Sequence, residues 1–255
     1  MTVKENEFIE TTYEQEGKEV HHLTRYYLFS PFLRIFHWLM VLSIIILFAT
    51  GIVIMTPMSM GEGQYVILNE WHLSVDWLRN LHFLAGFVLT AAFLFRIYGY
   101  IINKGDRLFP NFFKMKFWDD FIEVMMHYCL LKYSHKQFLR NPMARMSYVA
   151  IYGLIVVEAV TGFSMYFQVN PNGIGAFIFG WLTLPFGEMF LHVVHHIVAW
   201  CIFLFAAIHV YMVVRADFME REGEASSMIS GTKILAHMPD DIGDITDKHG
   251  RIIKG

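Results

Sequence analysis

Charge is what this chain has little of. Only 17% of its 255 residues are Asp, Glu, Lys or Arg, while 55% are hydrophobic and 16% aromatic. A soluble domain carries about 25% charged residues, so the composition points away from a soluble protein and toward a membrane protein. The formal net charge is −3 and no basic stripe interleaves with aromatics, which excludes a nucleic-acid-binding surface. Cysteine is scarce as well. Cys129 and Cys201 stand far apart in dissimilar segments, which suggests neither a disulfide framework nor a metal knuckle. No Cys-x-x-Cys-His run occurs, so no covalently attached c-type haem is expected. A phosphate-binding glycine loop and a nucleophile–base constellation are missing, so the chain is not expected to be catalytic by itself. The first 24 residues are polar and acidic and lack the basic-then-apolar pattern of a cleavable signal. The first membrane span is therefore expected to act as the insertion signal.

What is present is apolar length. Four segments, at about 35–55, 81–102, 146–167 and 191–214, reach the roughly 20 residues that cross a bilayer. Pro57 follows the first and Pro185 precedes the fourth, both at loop positions. Residues 57–76 and 168–191 hold no Lys or Arg. The loop between the second and third spans holds Lys104, Arg107, Lys114, Lys116, Lys132, Lys136, Arg140 and Arg145. Arg25 and Arg34 precede the first span, and Arg215 and Arg221 follow the fourth. The positive-inside rule then puts both termini and the long loop in the cytoplasm. Trp38, Trp71, Trp77, Trp118 and Trp181 fall near the expected interfaces. Within the long loop, residues 117–139 show helical apolar spacing and read as a helix on the cytoplasmic surface, with a re-entrant segment as the alternative. The expected architecture is all-α: a four-transmembrane-helix bundle plus that surface helix. Residues 1–24 form an N-terminal tail, 25–215 the four-span domain, and 216–255 a C-terminal tail whose residues 240–255 are polar and expected to be mobile.

The histidines pose the functional question. Ionisable groups inside a span are costly, and each is a candidate for function. In HVVHHIVAWCIFLFAAIH, residues 192–209, His195 and His209 are 14 residues apart. That is about 21 Å of helical rise and nearly a whole number of turns, so both share one face at opposite membrane depths. No single metal ion reaches both. His37 opens the first span on the cytoplasmic side and His82 opens the second on the periplasmic side. Depth pairs His82 with His195 and His37 with His209. Two bis-histidine sites suit two b-type haems. Zinc would want four ligands at each site, with cysteine or carboxylate help that is missing here. Gly51 lies 14 residues after His37, and the pair Thr50-Gly51 is repeated as Thr161-Gly162. Such glycines either admit a flat macrocycle or pack helices.

Other candidates are less defined. His196 points about 100° away from His195 and either meets a haem propionate or packs. His192 and His72 sit at the periplasmic edge and read as exposed, and His21, His22, His127, His135, His237 and His249 as solvated. Arg96, 14 residues after His82, either pairs with a propionate of the inner haem or reaches the headgroups. Glu158, mid-span, either serves proton or quinone chemistry or bonds a neighbouring helix; the second reading is favoured.

These residues carry a family resemblance. RIFHWLMVLSIIILFATG, residues 34–51, resembles the first-span signature of the cytochrome b subunit of membrane-bound nickel–iron hydrogenases. Residues 192–209 resemble that family's second signature, with His195, Trp200, Phe205 and His209 at its marked positions; Val193 departs from it, where a small residue is usual. SSMISG, residues 226–231, is similar to the segment after the last span of hydrogenase members. The resemblance spans about residues 25–235. It extends to the gamma subunit of respiratory formate dehydrogenase and, more distantly, to thiosulfate-reductase cytochromes. It implies a subunit of the bacterial inner membrane that anchors hydrogenase small and large subunits on the periplasmic side, in a hetero-oligomer. The small subunit's iron–sulfur clusters would feed an outer haem on His82 and His195. Electrons would pass to an inner haem on His37 and His209 and reduce a quinone, menaquinone or ubiquinone. Three rival readings remain: a cytochrome subunit of formate dehydrogenase or another molybdopterin oxidoreductase, a stand-alone cytochrome b561 electron carrier, and a transporter with intramembrane histidines. The last lacks the inverted repeats and broken spans expected of it.

Overall fold

The computed structural model describes residues 9–12, 22–55, 65–68, 71–102, 109–132, 136, 138–219, 223–235 and 241. Among them are four helices long and apolar enough to cross a membrane. These are α1 (Pro31–Met55), α2 (Val75–Ile102), α4 (Pro142–Tyr166) and α7 (Glu188–Met219). Three shorter helices, α3 (Met115–Tyr128), α5 (Ile174–Phe179) and α6 (Thr183–Phe186), lie between spans, and α8 (Glu224–Ser230) follows the last.

All four spans begin before the apolar cores that mark them in the sequence. Capping explains two of them. Ser30 Oγ accepts from the backbone N–H of Leu33 at 3.1 Å, and Asn141 Oδ1 accepts from that of Met143 at 2.9 Å. Each cap is followed by proline, whose missing N–H costs nothing in the first turn. α2 and α7 carry an acid, Asp76 and Glu188, in that turn instead.

The surface helix is present but shorter than residues 117–139: α3 ends at Tyr128. Leu130 adopts φ 62°, its N–H bonds the carbonyl of His127 at 3.0 Å, and that of Leu131 bonds Met126 at 2.9 Å. This is a Schellman stop with leucine where glycine is usual. Its buried side chains, Phe117, Asp120 and Val124, recur at helical spacing on one face. Lys132 folds back onto Glu123 at 2.8 Å, and that hydrogen bond holds the Glu123 carboxyl below its ordinary pKa.

Two small antiparallel sheets were not expected. β1 (Ile9–Thr12), β2 (His22–Tyr27) and β5 (Thr232–Leu235) form one, in the order β1-β2-β5. Thus parts of the segments read as tails are strands, and β2 pairs with β5 in the register Tyr27↔Thr232 to Thr24↔Leu235. β3 (Tyr65–Leu68) and β4 (Trp71–Ser74) form the other, between α1 and α2. Of the C-terminal residues 240–255, only Asp241 is among those described.

The chain divides into two compact units. One comprises Met1–Arg34, Tyr98–Tyr152 and Ala207–Gly255. Within it, Gly231 follows α8 at φ 83° and its carbonyl accepts from Leu28 and Phe29 at 2.8 and 3.1 Å. Lys233, almost wholly buried, donates to Glu224 at 2.6 Å and to the carbonyl of Phe138 at 2.9 Å. Asp241 accepts from the backbone of Leu139 and Arg140, both at 2.8 Å.

The other unit comprises Ile35–Ile97 and Gly153–Ala206, and in it the four spans form a closed bundle. Thr50 on α1 meets His82 on α2; Phe87 on α2 meets Phe163 on α4; Thr161 on α4 meets His195 on α7; Phe48 on α1 stacks on Phe203 of α7 at 4.2 Å. Each span thus touches the next span, and α7 closes on α1. Outward-facing side chains are large and apolar, such as Ile45, Leu84, Phe95 and Leu204, each about 60% exposed. In water such a surface would aggregate; facing lipid it is at rest.

Candidate cofactor site

Inside this bundle, two of the four singled-out histidines come together. His82 and His195 project from α2 and α7, which lie diagonally opposite, and their ring centroids are 6.5 Å apart. Each ring is held from the side by a neighbouring helix. Thr50 Oγ lies 2.9 Å from His82 Nδ1, and Thr161 Oγ lies 3.0 Å from His195 Nδ1. Beside each threonine a glycine clears the ring: a Cβ on Gly51 would sit 3.5 Å from His82 Cε1, and one on Gly162 would sit 3.1 Å from His195 Cε1. A Cβ at Gly162 would therefore crowd the His195 ring, while one at Gly51 would just touch that of His82.

Glu158 is one turn before Thr161 on the same face of α4. Its Oε1 lies 3.1 Å from His195 Nε2, and its buried Oε2 has no partner among the described residues. A hydrogen bond between these groups needs a proton from the acid or from the ring. The single lone pair of Nε2 can serve that proton or a metal, not both. The favoured reading of Glu158, a bond to a neighbouring helix, corresponds to this contact.

The other sequence candidates fall around the pair. His37 belongs to this unit and packs edge-on against Trp38, with centroids 5.3 Å apart. His209 is exposed on α7 and belongs to the other unit. Arg96 is 3% exposed, so its side chain lies inside the protein rather than reaching outward. His196 is half-buried beside His195, and His192 is exposed, with Nδ1 3.1 Å from the Glu188 carbonyl of its own helix. The two threonines were missed as ring partners. Their signal was the repeated Thr-Gly pair, read for its glycine alone.

Four apolar helices closed around two facing imidazoles are the fold of a multi-pass membrane cytochrome. Residues 28–231 match the family described as prokaryotic cytochrome b561, and the chain belongs to it. It is similar to a protein of Rhodobacter capsulatus named probable Ni/Fe-hydrogenase B-type cytochrome subunit, 31% identical over 85% of this chain and 84% of that one. A like-named protein of Azotobacter vinelandii is 29% identical over 86% of this chain and 93% of its own. A probable Ni/Fe-hydrogenase 1 B-type cytochrome subunit of Escherichia coli K12 is 28% identical, covering 82% and 91%.

The residues fit the haem b that the family name implies. His82 and His195 are the imidazoles that would hold it, with Thr50 and Thr161 beside their Nδ1 atoms and Gly51 and Gly162 clear of their rings; His195 would exchange its Nε2 contact with Glu158 for the iron. The His82 ring is held by Thr50 and by the backbone of Leu47, both on α1. The described residues hold no group of three or more His, Cys, Asp or Glu side chains for a bare ion such as zinc.

Proposed function

We propose that this chain is the membrane-anchoring, di-haem b-type cytochrome subunit of a nickel–iron hydrogenase, carrying electrons from its partner to the quinone pool. The observation that carries the reading is the facing pair His82 and His195 inside the four-helix unit. The hydrogenase partner is supported by the names of the similar proteins, which favour it over a formate dehydrogenase. When bound, haem b supplies reversible one-electron chemistry, which is the activity this subunit contributes.

Each part of the chain has a task in this reading. His82 and His195 hold the outer haem, with Gly51 and Gly162 leaving room beside the rings. His37 and His209 hold the inner haem; the 14-residue spacing of His195 and His209 on the continuous helix α7 supports two depths. Arg96, buried and cationic, suits a propionate of the inner haem. His196 offers a contact to the outer one. Both termini and the Lys- and Arg-rich loop face the cytoplasm of an inner membrane, and the basic-free loops face the periplasm and the hydrogenase small subunit.

The ligand assignment is tested by counting haem. His82→Ala and His195→Ala should each lower the content from two haems per chain to one and slow electron entry. His209→Ala should keep the outer haem reducible by hydrogen while quinone reduction stops. Full haem content in both of the first two variants would overturn the assignment.

A further inference from the structure

A threonine hydroxyl has one proton to give. Thr50 Oγ donates it back along α1 to the carbonyl of Ile46 at 2.7 Å, with Leu47 at 3.2 Å. Thr161 Oγ donates its proton to the carbonyl of Val157 at 2.8 Å, with Glu158 at 3.1 Å. Back-bonding of this kind is common for threonine inside a helix. Here it has a chemical consequence. With its proton spent on a carbonyl, each hydroxyl oxygen can only accept from the imidazole nitrogen beside it. Both Nδ1 atoms then carry hydrogen and both Nε2 atoms of the neutral rings carry the lone pair, which for His195 makes the Glu158 carboxyl, 3.1 Å away, the donor of the proton between them. That is the tautomer an imidazole needs to bind iron through Nε2. The device occurs twice. Thr50-Gly51 on α1 serves His82 on α2, and Thr161-Gly162 on α4 serves His195 on α7, with Thr-to-His separations of 32 and 34 residues.

We propose that Thr50 and Thr161 are positioning residues of the outer haem, fixing the plane and tautomer of its two ligands and tuning their basicity. The inference rests on the ligand reading given above. An imidazole that donates Nδ1–H is a stronger donor at Nε2, and partners of this kind orient and tune a metal ligand. A more basic ligand favours ferric over ferrous iron, so the two threonines lower the outer haem's reduction potential. Packing alone would not do this, because valine fills the same shape without accepting a hydrogen bond.

The test uses the full-length cytochrome with Thr50→Val, Thr161→Val, Thr50→Ser and Thr161→Ser, read by haem retention and by redox titration of each haem. Each valine variant should weaken outer-haem retention by about 10- to 100-fold. The outer haem that remains should titrate at a higher potential, with the inner haem unchanged. The serine variants should restore both values. The inference is overturned if the valine variants match wild type, if serine fails to rescue, or if both haems shift together. Should the valine variants not fold, the haem-free wild-type protein decides. With 15N-labelled histidine, Nδ1-protonated signals for His82 and His195 support the inference, and Nε2-protonated signals overturn it. Failure of the ligand reading looks different. In that case His82→Ala and His195→Ala keep both haems, whereas if the threonine inference alone fails they lose one haem while the valine variants match wild type.

Discussion

Gly51 and Gly162 look alike in the sequence, each following a threonine in a span, yet they differ in clearance. A methyl group on Gly51 meets His82 at an ordinary van der Waals distance of 3.5 Å. One on Gly162 meets His195 at 3.1 Å, and that ring is already fixed by Thr161 and Glu158. Gly162→Ala should therefore displace the ligand and lower outer-haem retention. Gly51→Ala should retain more haem and offset part of its effect through helix propensity, where alanine is favoured by about 1 kcal/mol. Haem retention measured on the two variants side by side checks the order. The histidines were legible because a polar ring inside an apolar run stands out. Thr50 and Thr161 were not, because a lone threonine in a span usually bonds only its own backbone. Glu158 was visible as a buried acid, but its partner depends on which faces of α4 and α7 meet, which a single chain of letters does not specify.

At the scale of elements, the four spans were legible because about 20 apolar residues leave few alternatives. Their exact starts were not, since Ser30-Pro31 and Asn141-Pro142 extend the helices beyond the apolar core by capping. The end of α3 was missed because its stop uses leucine in place of glycine. Leu130 at φ 62° carries a Cβ that a left-handed residue does not want. Leu130→Gly should remove roughly 1–2 kcal/mol of strain, offset in part by the greater freedom of glycine in the unfolded chain. A net gain of about 1 kcal/mol in denaturation of the detergent-solubilised protein is the expected result. The strands β2 and β5 escaped notice for another reason. Each is short, and the pairing Tyr27↔Thr232 joins residues at opposite ends of the chain. The same pairing gives SSMISG a local role, since the Gly231 that ends it binds the backbone of Leu28 and Phe29.

For the whole molecule, the asymmetry of Lys and Arg gives a proposed orientation that can be measured. Cys129, just after α3, and Cys201, within α7, are both free and exposed. A membrane-impermeant maleimide should label Cys129 in inverted vesicles and leave it unlabelled in intact spheroplasts, while Cys201 faces lipid and stays unlabelled in both. Labelling of Cys129 from outside would reverse the topology, and with it the side on which a hydrogenase could dock. Loop charges carry the proposed orientation, and depth the proposed outer pair, whose two rings the structure brings to 6.5 Å. The structure then adds what holds that pair: α1 and α4 each lend a threonine and a glycine to a histidine on the next span.

The measurement that bears most directly on the cytochrome reading is a dithionite-reduced minus oxidised spectrum of the purified chain in detergent, with haem counted per polypeptide. Two b-type haems per chain are expected, one from His82 with His195 and one from His37 with His209. A folded preparation with no haem would contradict the proposed function, and a single haem that survives both His82→Ala and His195→Ala would contradict the outer pair.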